Sequence, residues 1–240
     1  MTTRILCLTD DIERYRQFSE LFAVELDGAK AIPDIVDKLT ATPHNGILLE
    51  FKNLMRAHAH EKKVLQEFIH SFPVLHVTVS AAGELRSSLD IDQFFARLKD
   101  FPARIVRRNM RVSVNLPVFL TGIYRSAHPP QRTHTLNLSE GGVFVYAAED
   151  WRDDEWAWIR FVDLKDKRPV LLKLRWRVPW GAGPQLSGFG AMFAAITPEQ
   201  HAMLCQRFLL KKQFDQLDLS GIQEEFKAQF PHIRLDGSQI

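Results

Sequence analysis

Two short segments carry residue types suited to holding an anion with planar rings. Arg107, Arg108 and Arg111 lie within five positions, with Arg107 and Arg111 in the spacing Arg-x-x-x-Arg, and Asn137-Leu138-Ser139-Glu140-Gly141-Gly142 follows one hairpin later. Guanidiniums are permanently charged, planar and forked, which suits phosphate oxygens or a guanine edge. Asn137 and Ser139 add short-range donors and acceptors. The Gly141-Gly142 pair lets the backbone turn sharply and approach a ligand closely. Binding chemistry is the expectation, because no nucleophile, base and orienting group stand together and no glycine-rich phosphate loop follows the first strand.

Charge and composition narrow the classes. A net charge of +2 over 240 residues excludes the global field of a strong nonspecific nucleic-acid binder. Positive charge is local instead: Arg97, Lys99, Arg104, Arg107, Arg108 and Arg111 crowd one stretch, opposed there by Asp100. A nucleic-acid-binding regulator that sets these arginines on phosphates is the alternative reading, and it would show steep salt dependence. Hydrophobic and charged fractions of 45% and 25% are those of a globular protein with room for two cores. Cys7 and Cys205 each sit in apolar runs, as buried thiols of a reducing compartment do. With no signal-peptide pattern and no stretch long enough to cross a bilayer, the expected location is cytoplasmic.

The elements that must position these residues fall into two halves. Residues 1–102 alternate short apolar runs with helical periodicity, the rhythm of an α/β domain with a parallel sheet. Strands are predicted at Arg4–Leu8, Gly46–Leu49 and Val74–Val79. Helices are predicted at Ile12–Phe22, Ile32–Leu39, one long helix at Leu54–Ser71, and Ile91–Leu98. Phe101-Pro102 marks a boundary, since proline disfavours helix before it. Residues 103–111 form an arginine-rich linker. Residues 112–215 read as an antiparallel β-barrel closed by an α-helix, and 216–240 as a tail expected to fray.

Within the barrel, strands are predicted at Val112–Tyr124, Thr133–Leu138, Val143–Tyr146, Trp156–Val162, Val170–Val178 and Leu186–Phe193. Period-two alternation places Leu172, Leu174 and Trp176 on one face. The tryptophans are read as core and rim rather than as a stacking platform for single strands. Thr197-Pro198-Glu199-Gln200 is a helix start. His58 and His60 do not share a helix face, so no metal site is assigned to them.

Arg107 and Arg111 followed by Asn137-x-Ser139-x-x-Gly142, the Gly188-x-Gly190-x-x-Phe193 ending and the terminal helix together resemble the PilZ family over about residues 104–211. That resemblance implies a non-enzymatic receptor for cyclic di-GMP, with no further cofactor. It implies that Arg107 and Arg111 contact phosphate and guanine groups, and that Asn137, Ser139 and Gly142 meet a guanine. Arg108 is expected to stack on a base. Outputs in motility, biofilm or virulence through a protein partner follow from the same likeness. Repulsion within the arginine cluster predicts that residues 104–111 are mobile without ligand and close over it, altering the arrangement of the two domains.

The first half resembles a response-regulator receiver domain. Asp10 and Asp11 end the first strand where such domains hold metal-binding acids, and Glu50 stands at the phospho-accepting position. A glutamate does not take that role, and no lysine follows a final strand, so a pseudo-receiver is implied. Asp10 and Asp11 are read as a helix cap, without a metal.

Overall fold

The computed structural model describes residues 3–80, 85–87, 89–106, 110–123, 129–149, 151–181 and 186–236. Contacts divide the chain into two units, residues 1–108 with 210–213, and residues 109–209 with 214–240.

The first unit is a five-stranded mixed sheet flanked by helices. Its strands are β1 (Thr3–Leu8), β2 (Val24–Ala29), β3 (Gly46–Glu50), β4 (Val74–Val79) and β5 (Leu85–Ser87), in the order β2-β1-β3-β4-β5. The first four run parallel, and β5 returns antiparallel on β4. β3 is buried at every position, which explains its unbroken apolar run. A 3₁₀ turn (Ile12–Tyr15) leads into α1 (Arg16–Phe22), and α2 (Ile32–Ala41), α3 (Phe51–Arg56), α4 (Ala59–Ile69) and α5 (Ile91–Asp100) complete the unit. Phe18, Leu48, Leu75, Phe94 and Leu98 share its core.

Three features depart from expectation. β2 carries Glu25 and Asp27, whose charges hide its strand pattern; it is an edge strand, where one side stays in water. β5 is only three residues long. The long helix expected over Leu54–Ser71 is two helices, because Ala57 and His58 are extended and the His58 N–H donates to Glu61 Oε2 at 2.7 Å, capping α4 afresh.

The second unit is a closed antiparallel barrel. Its strands are β6 (Pro117–Gly122), β7 (Gln131–Ser139), β8 (Gly142–Tyr146), β9 (Trp156–Phe161), β10 (Val170–Val178) and β11 (Gly188–Ala195), in the order β10-β11-β8-β7-β6-β9. β9 pairs with both β6 and β10, so the sheet closes on itself. The strand expected from Val112 begins only at Pro117. Before it, Val112 makes one bridge with Leu138, and the Thr135 hydroxyl accepts from the Leu116 N–H at 2.9 Å and donates to the Val114 carbonyl, replacing ladder bonds.

α6 (Pro198–Phe208) follows with the expected cap. Thr197 Oγ1 accepts from the Gln200 N–H at 3.1 Å, and Gln200 Oε1 accepts from the Thr197 N–H at 3.1 Å. The expected fraying after residue 216 is not what the structure has. Ser220–Gln229 form α7, whose Phe226 is fully buried against Trp156, and the Trp156 indole N–H donates to Gln229 Oε1 at 2.8 Å. Phe230, Leu171 and Ala194 belong to the same cluster. The spacing Ile222, Phe226, Phe230 is one helix face, so the apolar stripe was present in the sequence. Phe226→Ala is expected to lower the unfolding free energy by about 3 kcal/mol in denaturant titration; a frayed tail would give no change.

Candidate functional site

The outer wall of the barrel sets four residues in one row across four strands. Asn137 on β7 pairs with Phe144 on β8, Phe144 with Gly190 on β11, and Gly190 with Trp176 on β10. Ser139 pairs with Gly142, which in turn faces Met192, making a second row beside the first. Two bulges set this arrangement. Register shifts between Thr135 and Asn137 and between Leu174 and Trp176 each insert a residue on one strand only. The second shift corrects the expected alternation: Leu172 and Leu174 are buried, whereas Trp176 is 38% exposed. A one-residue slip turns a side chain to the other face of a strand.

The Trp176 indole lies on the Phe144 ring, with centroids 4.7 Å apart and planes 24° from parallel. It also covers Gly190, where a Cβ atom would collide with the indole nitrogen. Gly142 has a comparable reason, since a Cβ there would overlap the Ala191 carbonyl oxygen. The glycines thus let a ring and a neighbouring strand come closer than any side chain permits.

Arg111 stands beside this platform. The bridge between Val112 and Leu138 holds the preceding residue along β7, and the Arg111 guanidinium carbon lies 5.7 Å from the Trp176 ring centre. Arg175 is exposed, and its Nε–H donates to Met192 Sδ at 3.0 Å. Among the described residues the Asn137 carboxamide makes no hydrogen bond, which leaves its donors and acceptor for a ligand. The Ser139 hydroxyl donates to the Gly142 carbonyl at 3.2 Å. The turn is tied down behind: the Glu140 carbonyl accepts from His201 Nε2 at 3.0 Å, and its carboxylate accepts from the Asp215 N–H at 3.0 Å.

The structure therefore brings Arg111, Asn137, Ser139 and Gly142 onto one barrel face. Arg107 and Arg108 lie outside the described residues. The segment expected to be mobile from residue 104 is hydrogen-bonded at its start. Arg104 exchanges backbone hydrogen bonds with His44, the Val106 N–H donates to the Leu39 carbonyl at 2.9 Å, and the Arg104 guanidinium stacks 3.9 Å from the Phe101 ring centre. Sequence reasoning missed Phe144, Trp176 and Arg175 as part of the face. Trp151, Trp156 and Trp158 are buried, while Trp180 is 74% exposed, so the core-and-rim expectation describes the set.

The acids of the first unit are engaged with one another's neighbours. Asp11 caps the 3₁₀ turn by accepting from the Glu13 N–H at 3.2 Å and pairs with Arg14. Asp10 accepts from Asn53 Nδ2 at 2.8 Å and pairs with Arg56 at 3.2 Å. Glu50 ends β3 and is 4% exposed, with its Oε2 accepting from the Thr9 hydroxyl at 2.7 Å. Burial, and then the charge of Glu50, push the Cys7 thiol far above its ordinary range.

Against known proteins, a PilZ domain family model matches residues 89–211, just over half of the chain. No curated protein sequence matches it. Among solved structures, the chain is similar to the inhibitor of motility MotI/DgrA of Bacillus subtilis, at 17% identity and a TM-score of 0.35 over 47% of this chain. That match spans 56% of the Bacillus chain. It is also similar to the PilZ domain of CeSA from a cellulose-synthesizing bacterium, at 16% identity and a TM-score of 0.30, over 40% of this chain and 91% of that one.

Because Gly142 and Gly190 serve close approach, adding one methyl at each has separate expected readouts. Gly142→Ala should cost about 1–3 kcal/mol in thermal or denaturant unfolding. Gly190→Ala should displace the indole from Phe144 and weaken the near-ultraviolet circular dichroism of that pair. An unchanged spectrum would show that the indole does not depend on the gap.

Proposed function

The chain belongs to the PilZ domain family, and from that membership we propose that it is a non-enzymatic receptor for cyclic di-GMP. The single observation that carries this is the row Asn137, Phe144, Gly190 and Trp176 with Arg111 at its edge. Cyclic di-GMP is a dianion with two flat purines. A partly exposed indole backed by Phe144 offers a stacking surface, and Arg111 offers charge and a planar fork beside it. Asn137 presents an amide to a base edge, and Ser139 and Gly142 shape the turn below it. By the family's Arg-x-x-x-Arg pattern Arg107 joins Arg111 on phosphate and guanine groups, and Arg108 is assigned to stacking on a base.

The proposed output is mechanical. Arg104 and Val106 are held to the first unit by backbone hydrogen bonds, so a ligand-driven change would be concentrated after Val106. Occupancy would then shift the arrangement of residues 1–102 against the barrel, and a protein partner in motility, biofilm or virulence control would read the shift. No helix among the described residues is long and apolar enough to cross a membrane. A cytoplasmic location is proposed because cyclic di-GMP is an intracellular messenger.

Calorimetric titration tests the ligand. Wild type should bind cyclic di-GMP; Arg111→Ala should weaken binding about tenfold or more, the value of a hydrogen bond to a charged group, and Asn137→Ala, which removes a neutral amide from a base edge, about two- to tenfold. Unaltered affinity in both variants would remove this face as the site. For the output, a label pair with one member in each unit should report a ligand-dependent change in distance, and constancy at saturation would contradict it.

A further inference from the structure

A cleft of about 860 Å³ opens in the first unit where the carboxyl ends of β1, β3 and β4 meet. In open parallel sheets this is the place where the strand order reverses and loops diverge to leave room for a ligand. Its volume is that of a small-molecule site. Glu50, Phe51, Thr78, the cations Arg14, Arg16 and Lys52, and the acidic Glu13 line it.

Glu50 is the unusual member. A carboxylate that is almost wholly buried is ordinarily paired with a cation or several donors. Here the hydroxyls of Thr9 and the buried Tyr15 face it, and among the described residues Glu50 makes no ion pair. Glu50 lines the cleft, and an ionised carboxylate has more acceptor sites than two hydroxyls fill, so a bound molecule can bring it N–H donors. The rim sets three cations against one carboxylate, Glu13. Lys52 is exposed and makes no ion pair among the described residues. Arg14 pairs with Asp11 at 3.2 Å, and Arg16 with Glu13 at 3.9 Å and Glu20 at 3.5 Å, all between exposed side chains. Such pairs hold weakly and can be exchanged for a better anion. Phe51, 48% exposed, supplies an apolar ring between floor and rim.

A ligand that fits must bring paired N–H donors at one end, a flat ring in the middle and an anion at the other. We propose that this cleft binds a guanine mononucleotide, with Glu50 accepting from the base N1–H and 2-amino group, Phe51 against the purine, and Arg14, Arg16 and Lys52 on the phosphate. Adenine presents an acceptor at N1 and no 2-amino group, so the same carboxylate repels it. The site is separate from the barrel face and does not depend on what that face binds.

Calorimetry on the full chain with GMP and AMP tests the assignment. GMP should bind at least about tenfold more tightly than AMP, and Glu50→Gln should lower GMP affinity about tenfold or more while cyclic di-GMP affinity stays unchanged. Asn137→Ala should leave GMP binding intact. Lys52→Glu, at an exposed position, should weaken GMP binding whether or not Glu50→Gln folds. The proposal is overturned by no GMP binding at about 5 mM, by equal binding of AMP and GMP, by GMP affinity that ignores Glu50→Gln or Lys52→Glu, or by its loss in Asn137→Ala.

Discussion

The close approach of Trp176 to the strand at Gly190 is the interaction on which the barrel face depends. Without a Cβ at Gly190, the indole settles over the backbone and stacks on Phe144, and that stack gives Arg111 a ring to rest beside. A larger residue at Gly190 would tip the indole away and break the row from Asn137 to Trp176. A second tight contact, Gly142 against the Ala191 carbonyl, keeps β8 and β11 close enough for the row to stay continuous. The platform therefore consists of backbone spacing as much as of side chains.

Behind that face the barrel is braced from the C-terminal side. α6 hydrogen-bonds the Ser139–Gly142 turn through His201 and Glu140, and α7 buries Phe226 and Phe230 on Trp156 and Leu171. A turn held at both its carbonyl and its carboxylate keeps its geometry before a ligand arrives, which limits the ordering entropy that binding would cost. The first unit applies a different constraint. Its parallel strands end at a cleft whose floor holds the carboxylate of Glu50, and the nearby acids Asp10 and Asp11 are already occupied by Asn53, Arg56 and Arg14.

Much of this was legible in the residues. The six-stranded antiparallel barrel, the Thr197–Gln200 cap and the buried run Gly46–Leu49 each follow from local physics that tertiary structure did not override, whereas period-two burial holds on β6 and is lost on β9 and β11. The candidate face was legible in Arg111, Asn137, Ser139 and Gly142, because their types announce donors and close approach. Trp176 was not, since alternation alone put it with Leu172 and Leu174, and only the bulge at Arg175 turns it outward. A bulge is a register decision between two strands and leaves no mark in either alone. β2 was hidden by its charges, and Ala57-His58 looked helical until the His58 cap divided the run.

The central claim is that cyclic di-GMP lies on the Trp176 face of the barrel. Indole N–H resonances of the full chain, followed by NMR during titration with cyclic di-GMP, test it directly. Trp176 is predicted to shift strongly and saturably, while Trp156 and Trp158, buried on the α7 side, hold their positions. A titration in which ligand binds but the Trp176 signal does not move would contradict the account.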